Sequence, residues 1–303
     1  MVTALLTPGN KMSGKPNIRP LEKKDFDSLS HLFHIAFNRT RTNRHWEWKF
    51  FDNPHGAPVA TVAEKDDEII GFYGLLPRKV RWAGEETTAY QEVDLMVHPE
   101  HGSGGLFKVL GRASYDRVIE RGHPFTFGFP NQTSLPLGRR ILGWRVIKPI
   151  PLWTVLLKPA EALKGKLPSV PGMSVVAKLG LTAYHSARLK GSTRGGVTES
   201  SEVSESILSG LTQQNSETEF IRDIPYMQWR YVNHPDVDYR IYTAVIDEQP
   251  QGFAVAGSDK SGQMHLAEFN VSNNSVKTCK GLIRQILKGS SSCFDGPKPA
   301  SRI

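Results

Sequence analysis

The stretch Glu92-Val93-Asp94-Leu95-Met96-Val97-His98-Pro99-Glu100-His101-Gly102-Ser103-Gly104-Gly105-Leu106-Phe107 decides the fold. A strand, Thr87 to Val97, runs into a glycine-rich turn, Gly102 to Gly105, and out of it comes a helix, Leu106 to Arg121. Unpaired N–H groups at such a helix start, together with the helix dipole, favour a phosphate or pyrophosphate, and glycines let the backbone approach it. No Gly-Lys-Ser/Thr follows, so this is not a P-loop, and the Gly-x-Gly-x-x-Gly dinucleotide spacing is absent. The glycines alone also fit an ordinary strand-to-helix turn. Glu92 and Asp94 alternate onto one face of the strand, where their mutual repulsion would raise one pKa toward a value useful for a general base. The other reading makes them solvated positions on a half-exposed strand.

Upstream, Ile18 to Leu21 reads as a strand, Asp25 to Phe37 as a helix and Trp46 to Phe51 as a shorter one ended by Asn53-Pro54. Val59 to Ala63, Ile69 to Leu75 and Lys79 to Trp82 then read as strands of antiparallel hairpins, the first two joined by the acidic turn Glu64 to Glu68. The helix from Leu106 carries Leu106, Val109, Leu110, Ala113, Val118 and Ile119 at helical spacing. Phe125 to Phe129 is an aromatic strand, and Asn131 to Leu142 a helix ending in Gly143-Trp144. Trp46, Trp48, Phe50 and Phe51 read as packed core or the wall of an acceptor pocket.

Beyond a Gly/Ser/Thr/Gln-rich stretch, Gly191 to Ser216, the chain begins again. Trp48, Pro54, Ala63, Asp66, Gly71 and Phe72 each recur 181 positions later as Trp229, Pro235, Ala244, Asp247, Gly252 and Phe253. A strand at His265 to Val271 and a helix at Ser275 to Leu287 continue the copy, which the last strand and helix of the first unit do not join. The expected organisation is a disordered leader 1–16, a first domain 17–160, a basic connector and flexible linker 161–216, a partial second unit 217–288 and a disordered tail 289–303. The expected fold class is α/β of the α+β type: a mixed, mainly antiparallel twisted sheet flanked by helices, with a partial second unit.

The whole pattern resembles the GNAT acyltransferase superfamily, in which a strand ending in Val-x-Pro leads through Arg/Gln-x-x-Gly-x-Gly/Ala to a helix holding an acyl-CoA pyrophosphate. Val97-His98-Pro99 fits, and Gly105-Leu106-Phe107 stands at the Gly-x-Gly/Ala end. Gly102 replaces the usual Arg or Gln, and Phe107 a small residue. The resemblance covers Ile18 to Leu157 in order of elements, and the repeat extends it to tandem GNAT proteins. It implies an acyl-CoA co-substrate, acetyl-CoA by default, held by Met96, Val97, Gly102, Ser103, Gly104, Gly105, Leu106 and Phe107. Asn131 matches a position that often contacts CoA and reads equally well as a helix cap. Asp94 stands where the family commonly has an acid, three before the Val of Val-x-Pro, and Glu92 and Asp94 are the catalytic candidates. Arg139 occupies the place of the family's thiolate-protonating Tyr, leaving Tyr73, Tyr90 or water to substitute.

The implied activity is N-acetyl transfer to a primary amine of a small molecule or amino sugar. The alternative is a degenerate acyl-CoA-binding or scaffold protein. Ser103 lacks the Gly two residues before it that a nucleophile elbow has. His98 and His101 lack further ligands at metal spacing, so no metal is expected. The 303 residues, 39% hydrophobic and 22% charged, can bury large cores, and no apolar run approaches the roughly 18 residues of a membrane span. Two cysteines, Cys279 and Cys293, suit a reducing cytoplasm. The net charge of +8 comes chiefly from Arg145 to Lys190, eight basic residues against one acidic. These are not interleaved with stacking aromatics, so nucleic acid is not the expected partner.

Overall fold

The computed structural model describes residues 14–123, 125–150, 196–209, 217–258, 264–272 and 275–292. Residues 1–13 of the expected leader, 161–195 of the basic connector and 293–303 of the tail lie outside the described residues. Residues up to Arg145 together with Glu217–Ile221 form one compact unit, and Val146–Ser216 with Arg222 onward the other. Among the described residues no helix is long and apolar enough to cross a membrane.

The first unit is built on a sheet in the order β1 (Asn17–Pro20), β2 (Val59–Lys65), β3 (Glu68–Trp82), β4 (Glu85–Val97), β5 (Thr126–Gly128). All its pairs are antiparallel except β4 with β5. Helices α1 (Phe26–Phe37) and α2 (Asn43–Phe50) cover one face, where Leu29, Leu32, Trp46 and Phe50 pack on Val62, Phe72, Leu76 and Met96. Helix α3 (Leu106–Glu120) covers the other, with Leu106, Leu110 and Val118 against Ala63, Ile70, Tyr73 and Tyr90. Trp46, Trp48 and Phe50 are core, as their clustering suggests, whereas Phe51 is exposed.

Strand β3 is continuous where the sequence suggests two strands with Pro77 between them. Pairing with β2 ends at Leu75, so Pro77 sits where β3 has become an edge on that side, and its missing N–H interrupts no ladder there. Beyond it, β7 (Thr218–Phe220) takes over that edge, with Val80 opposite Phe220 and Arg81 ion-paired to Glu219.

The second unit has the sheet order β10 (Met264–Val271), β9 (Gln249–Ser258), β8 (Asp238–Ile246), β6 (Val197–Ser200). Short helices α5 (Glu205–Ser209) and α6 (Ile224–Met227, extended by a π-turn to Val232) precede β8, and α7 (Val276–Ser292) follows β10. Leu282 and Ile286 of α7 bury against Tyr242, Ala244, Ala254 and Ala256. The expected linker and boundary therefore need correcting. Residues 197–209 carry β6 and α5 of the second unit, and 217–221, expected to open that unit, belong to the first.

The 181-residue echo is a structural repeat. Ala63 pairs with Gly71 and Ala244 with Gly252, each with a register shift at the next residue. Asp66-Asp67 and Asp247-Glu248 turn the two hairpins with positive φ at both positions, 52° and 61° against 49° and 63°, as the two-residue turn matching the strand twist requires. Gly71 and Gly252 recur for a packing reason. A Cβ would meet Leu110 Cδ1 at 2.8 Å in the first unit and Thr278 Cγ2 at 3.1 Å in the second, so each admits the helix behind the sheet. Counterparts of β5 and of α4 (Ser134–Ile141) do not occur among the described residues of the second unit.

Candidate active site

Strands β4 and β5 run in parallel only from Tyr90/Thr126 to Glu92/Gly128, while β4 continues to Val97. The sheet forks there, and the β4 backbone from Val93 onward has no β5 partner. Gly128 gives room at the crotch, where a Cβ would sit tightly, 3.2 Å from Glu92 Cβ.

The expected alternation of Glu92 and Asp94 is broken by a bulge. Phe72 faces Met96 and Gly74 faces Val93, so β4 holds one extra residue, and Asp94 takes a left-handed φ of 50°. Val93 packs with the α1–α2 core and Leu95 with the α3 core. Glu92 therefore faces α3. Asp94 faces α2, where its Oδ2 lies 2.5 Å from Lys49 Nζ and both side chains are 15% exposed. The two carboxylates do not share a site.

Glu92 instead stands in a hydroxyl cluster. Tyr115 of α3 donates to Glu92 Oε1 at 2.6 Å, and Thr126 of β5 donates to the same oxygen at 3.3 Å. The Tyr115 oxygen also accepts from Trp144 Nε1 at 2.7 Å and lies 3.0 Å from the Tyr73 hydroxyl. Burial raises the Glu92 carboxyl above its ordinary range, and the hydrogen bonds from Tyr115, Tyr73 and Thr126 offset part of that rise. Burial first, then the Glu92 charge, raises both tyrosines, so neither becomes a phenolate. Tyr90 is held elsewhere, donating to the Ala57 carbonyl at 3.2 Å and accepting from Arg121 at 2.8 Å.

Apolar periodicity on α3 does not signal Tyr115, nor does the turn after α4 signal Trp144. Val109 and Ile119 are 47% and 68% exposed, while Gly111 and Ser114 are buried and Tyr115 half-buried. Ser114 donates to Thr61 at 2.8 Å, and a Cβ on Gly111 would meet Leu142 at 2.7 Å. The sheet-facing rows are Leu106-Leu110-Ser114-Val118 and Phe107-Gly111-Tyr115, a spacing of four that includes polar and small residues. Trp144 reaches the cluster across Gly138, whose Cβ would fall 1.9 Å from its ring.

The glycine-rich segment is a 3₁₀-helix, Pro99–Gly104, followed by Gly105 at φ 73° as the cap of α3. Cβ atoms at Gly102 and Gly105 would meet nothing within 4 Å, so the outer side of this segment is open. The first backbone N–H groups of α3 have no intrahelical acceptor. Leu106 is core, Phe107 packs between Tyr73 and Trp144, and the Met96 side chain is buried under α1 and α2. Only backbone groups at these positions could face a ligand. Asn131 caps α4, its Oδ1 accepting from the N–H groups of Thr133 at 3.0 Å and Ser134 at 2.8 Å. Among the described residues no group of three or more His, Cys, Asp or Glu could hold a metal.

The first unit, a forked sheet whose bulged strand leads to a capped helix, has a GNAT-like fold, and the chain carries two sheet–helix units. Residues 17–147 match the family model described as Acetyltransferase (GNAT) domain. A conserved Enterococcus faecalis V583 protein, described as a probable N-acyltransferase, superimposes with TM-score 0.59 at 12% identity, over 92% of this chain and 64% of its own. A GCN5-related N-acetyltransferase from Kribbella flavida gives 0.55 at 12% identity, over 90% and 62%. The chain thus spans less than two thirds of either structure, and the likeness is one of fold. No curated protein matches by sequence.

Proposed function

We propose that the protein is an acyl-CoA-dependent N-acyltransferase, with acetyl-CoA the default donor, that acylates a primary amine of a small molecule or sugar by direct transfer. The observation that carries this reading is the Glu92 carboxylate at the crotch of the β4–β5 fork, made more basic by burial and fixed by Tyr115. A general base works best with its pKa near the working pH.

The residues present fit an acyl-CoA. The open side of Gly102 and Gly105 and the α3 N-terminus suit its pyrophosphate, from Gly102, Ser103, Gly104, Gly105, Leu106 and Phe107. The β4 edge at Met96 and Val97, paired to β3 but without a β5 partner, suits the pantetheine amides. When bound, the thioester supplies an activated acyl carbon. Glu92 accepts the proton that the amine nitrogen sheds as the C–N bond forms, and returns it to the departing thiolate as the C–S bond breaks. That return covers the position held by Arg139. The amine attacks as the neutral form, and Asp94, paired with Lys49 on the other face, holds the β4 bulge in place. Asn131 orders the start of α4 through its capping bonds.

Acetyl-CoA is expected to raise the melting temperature of the full chain, since at a hundredfold excess over Kd a ligand stabilises by about 2.7 kcal/mol. Absence of stabilisation across the millimolar range would sink the reading. Stabilisation with no thiol release from any amine would instead favour a binding protein.

A further inference from the structure

A cavity of about 190 Å³ lies in the first unit where the last turn of α3 meets the end of β1 and the start of β2. Its walls are apolar: Pro20 and Leu21 at the end of β1, Phe51 just after α2, and Pro58, Val59 and Ala60 leading into β2. The Leu21 N–H donates to the Ala60 carbonyl at 2.9 Å, which fixes the floor. Phe51, 42% exposed, is the ring that leaves the core formed by Trp46, Trp48 and Phe50. One side of the cavity is charged. Arg117 and Arg121 stand four residues apart on α3 and so share a face. Each guanidinium is anchored through Nη1. That of Arg117 donates to Thr61 Oγ1 at 2.8 Å, and that of Arg121 to the Tyr90 hydroxyl at 2.8 Å and to the carbonyls of Ala57 and Pro58 at 2.9 and 3.3 Å. Nε and Nη2 of both have no hydrogen-bond partner among the described residues, and no described carboxylate pairs with either arginine.

The acids that flank the cavity in sequence point elsewhere. Glu22 pairs with Lys24 and Asp52 with Arg44, while Asp116 and Glu120 occupy the next, exposed row of α3. Lys23, paired with Glu47, adds a further cation 5.5 Å from the Phe51 ring centroid. The dipole of α3 accounts for one cation in its last turn, but a second at this spacing repels the first. Two guanidiniums fixed on neutral oxygens, with unpaired N–H groups beside an apolar cavity, match an anion on an apolar body. Their planar forks suit a carboxylate. We propose that this cavity binds a small organic acid. Its carboxylate bridges Arg117 and Arg121, and its body, a single ring or a short chain, lies on Phe51, Leu21 and Pro58. The volume sets the size, since it equals the share of roughly six waters in the liquid. The site stands roughly 20 Å along α3 from the Gly105 cap, apart from the acyl-CoA cradle, and does not depend on the transferase reading.

The test is titration calorimetry of the full chain with phenylacetate, against acetate (the charge without the body), phenylacetamide (the body without the charge) and inorganic phosphate. One phenylacetate is expected to bind per chain with a Kd of about 1 mM or below, and the other three at least tenfold more weakly. Added salt should weaken the binding, and saturating CoA should leave it unchanged. Arg117→Gln and Phe51→Ser are each expected to raise the Kd for phenylacetate about tenfold, through a lost charged hydrogen bond and a lost ring contact. Phe51→Ser changes an exposed ring just past the end of α2, so it remains informative if Arg117→Gln disturbs α3. No saturable binding, or binding that both variants leave unchanged, overturns the proposal. Phosphate or phenylacetamide binding as tightly as phenylacetate also overturns it, and so does displacement by CoA, which would place the ligand in the acyl-CoA cradle.

Discussion

Tyr115→Phe removes one oxygen and with it three contacts. The bonds lost are the 2.6 Å donation to Glu92, the 2.7 Å acceptance from Trp144 Nε1 and the 3.0 Å contact with Tyr73. A hydrogen bond to a charged group contributes roughly 1.5–3 kcal/mol and a neutral one about 1 kcal/mol, so the cost depends on whether Glu92 is ionised. The folded carboxyl titrates above its unfolded value, so between the two values the folded state binds more protons, and stability falls as pH rises through that window. Losing Tyr115, foremost of the hydrogen bonds that hold the carboxyl down, lifts the folded value further and lengthens the fall. The destabilisation of the variant is therefore expected to grow with pH, from about 1–2 kcal/mol where Glu92 is protonated to about 3 kcal/mol where it is ionised. Urea unfolding of both proteins from pH 5 to 8.5 measures this difference. The acid limb of kcat/KM against pH should shift upward in the same variant. A destabilisation independent of pH, together with an unmoved limb, would refute the assignment of Tyr115 as the group that sets Glu92.

Three further outcomes are expected. Glu92→Gln should lower kcat by about 10²–10⁴ while leaving the melting temperature at pH 8 equal to or above that of the wild type, because a buried charge is removed; a loss below tenfold would exclude Glu92 as the base. Asp94→Asn leaves Lys49 with its charge half-buried beside a neutral amide and should cost about 3 kcal/mol, most of it recovered in Asp94→Asn with Lys49→Met; additive unfolding energies would show that the pair is not coupled. Gly138→Ala should destabilise by about 1–3 kcal/mol and shift the tryptophan emission, since its Cβ needs the space of the Trp144 ring; an unchanged spectrum and stability would place that ring elsewhere.

What the sequence made legible follows from local chemistry. The Asp66-Asp67 and Asp247-Glu248 turns, with Gly71 and Gly252 behind them, are short-range requirements, so the duplicated hairpin shows as a fixed offset. The strand, glycines and helix around Gly105 are local in the same sense. The bulge at Asp94 carries no such mark, because an aspartate tolerates the left-handed region without a glycine to signal it. Counting alternate positions therefore put two carboxylates on one face that the backbone separates. On α3 the hydropathy stripe ignored Ser114 and Gly111, which are buried by a hydrogen bond and by close packing, and so hid Tyr115 beside them. Strands β6 and β7 hold four and three residues in polar surroundings, and only their long-range partners on β8 and β3 define them. Composition therefore reads the β6 region as linker and assigns the β7 residues to the second unit.

The central claim is that Glu92, at the crotch of the fork, serves as the base for acyl transfer to an amine. Its most direct measurement is thiol release with simultaneous quantification of the acylated amine, by the full chain and by Glu92→Gln, at pH 8 with acetyl-CoA and 2-phenylethylamine, tryptamine, kanamycin and spermidine each as acceptor. The expected result is thiol and amide formed one to one by the wild type with at least one acceptor, and a loss of at least a hundredfold in the variant. Equal rates in the two proteins, or thiol released without amide, would contradict it.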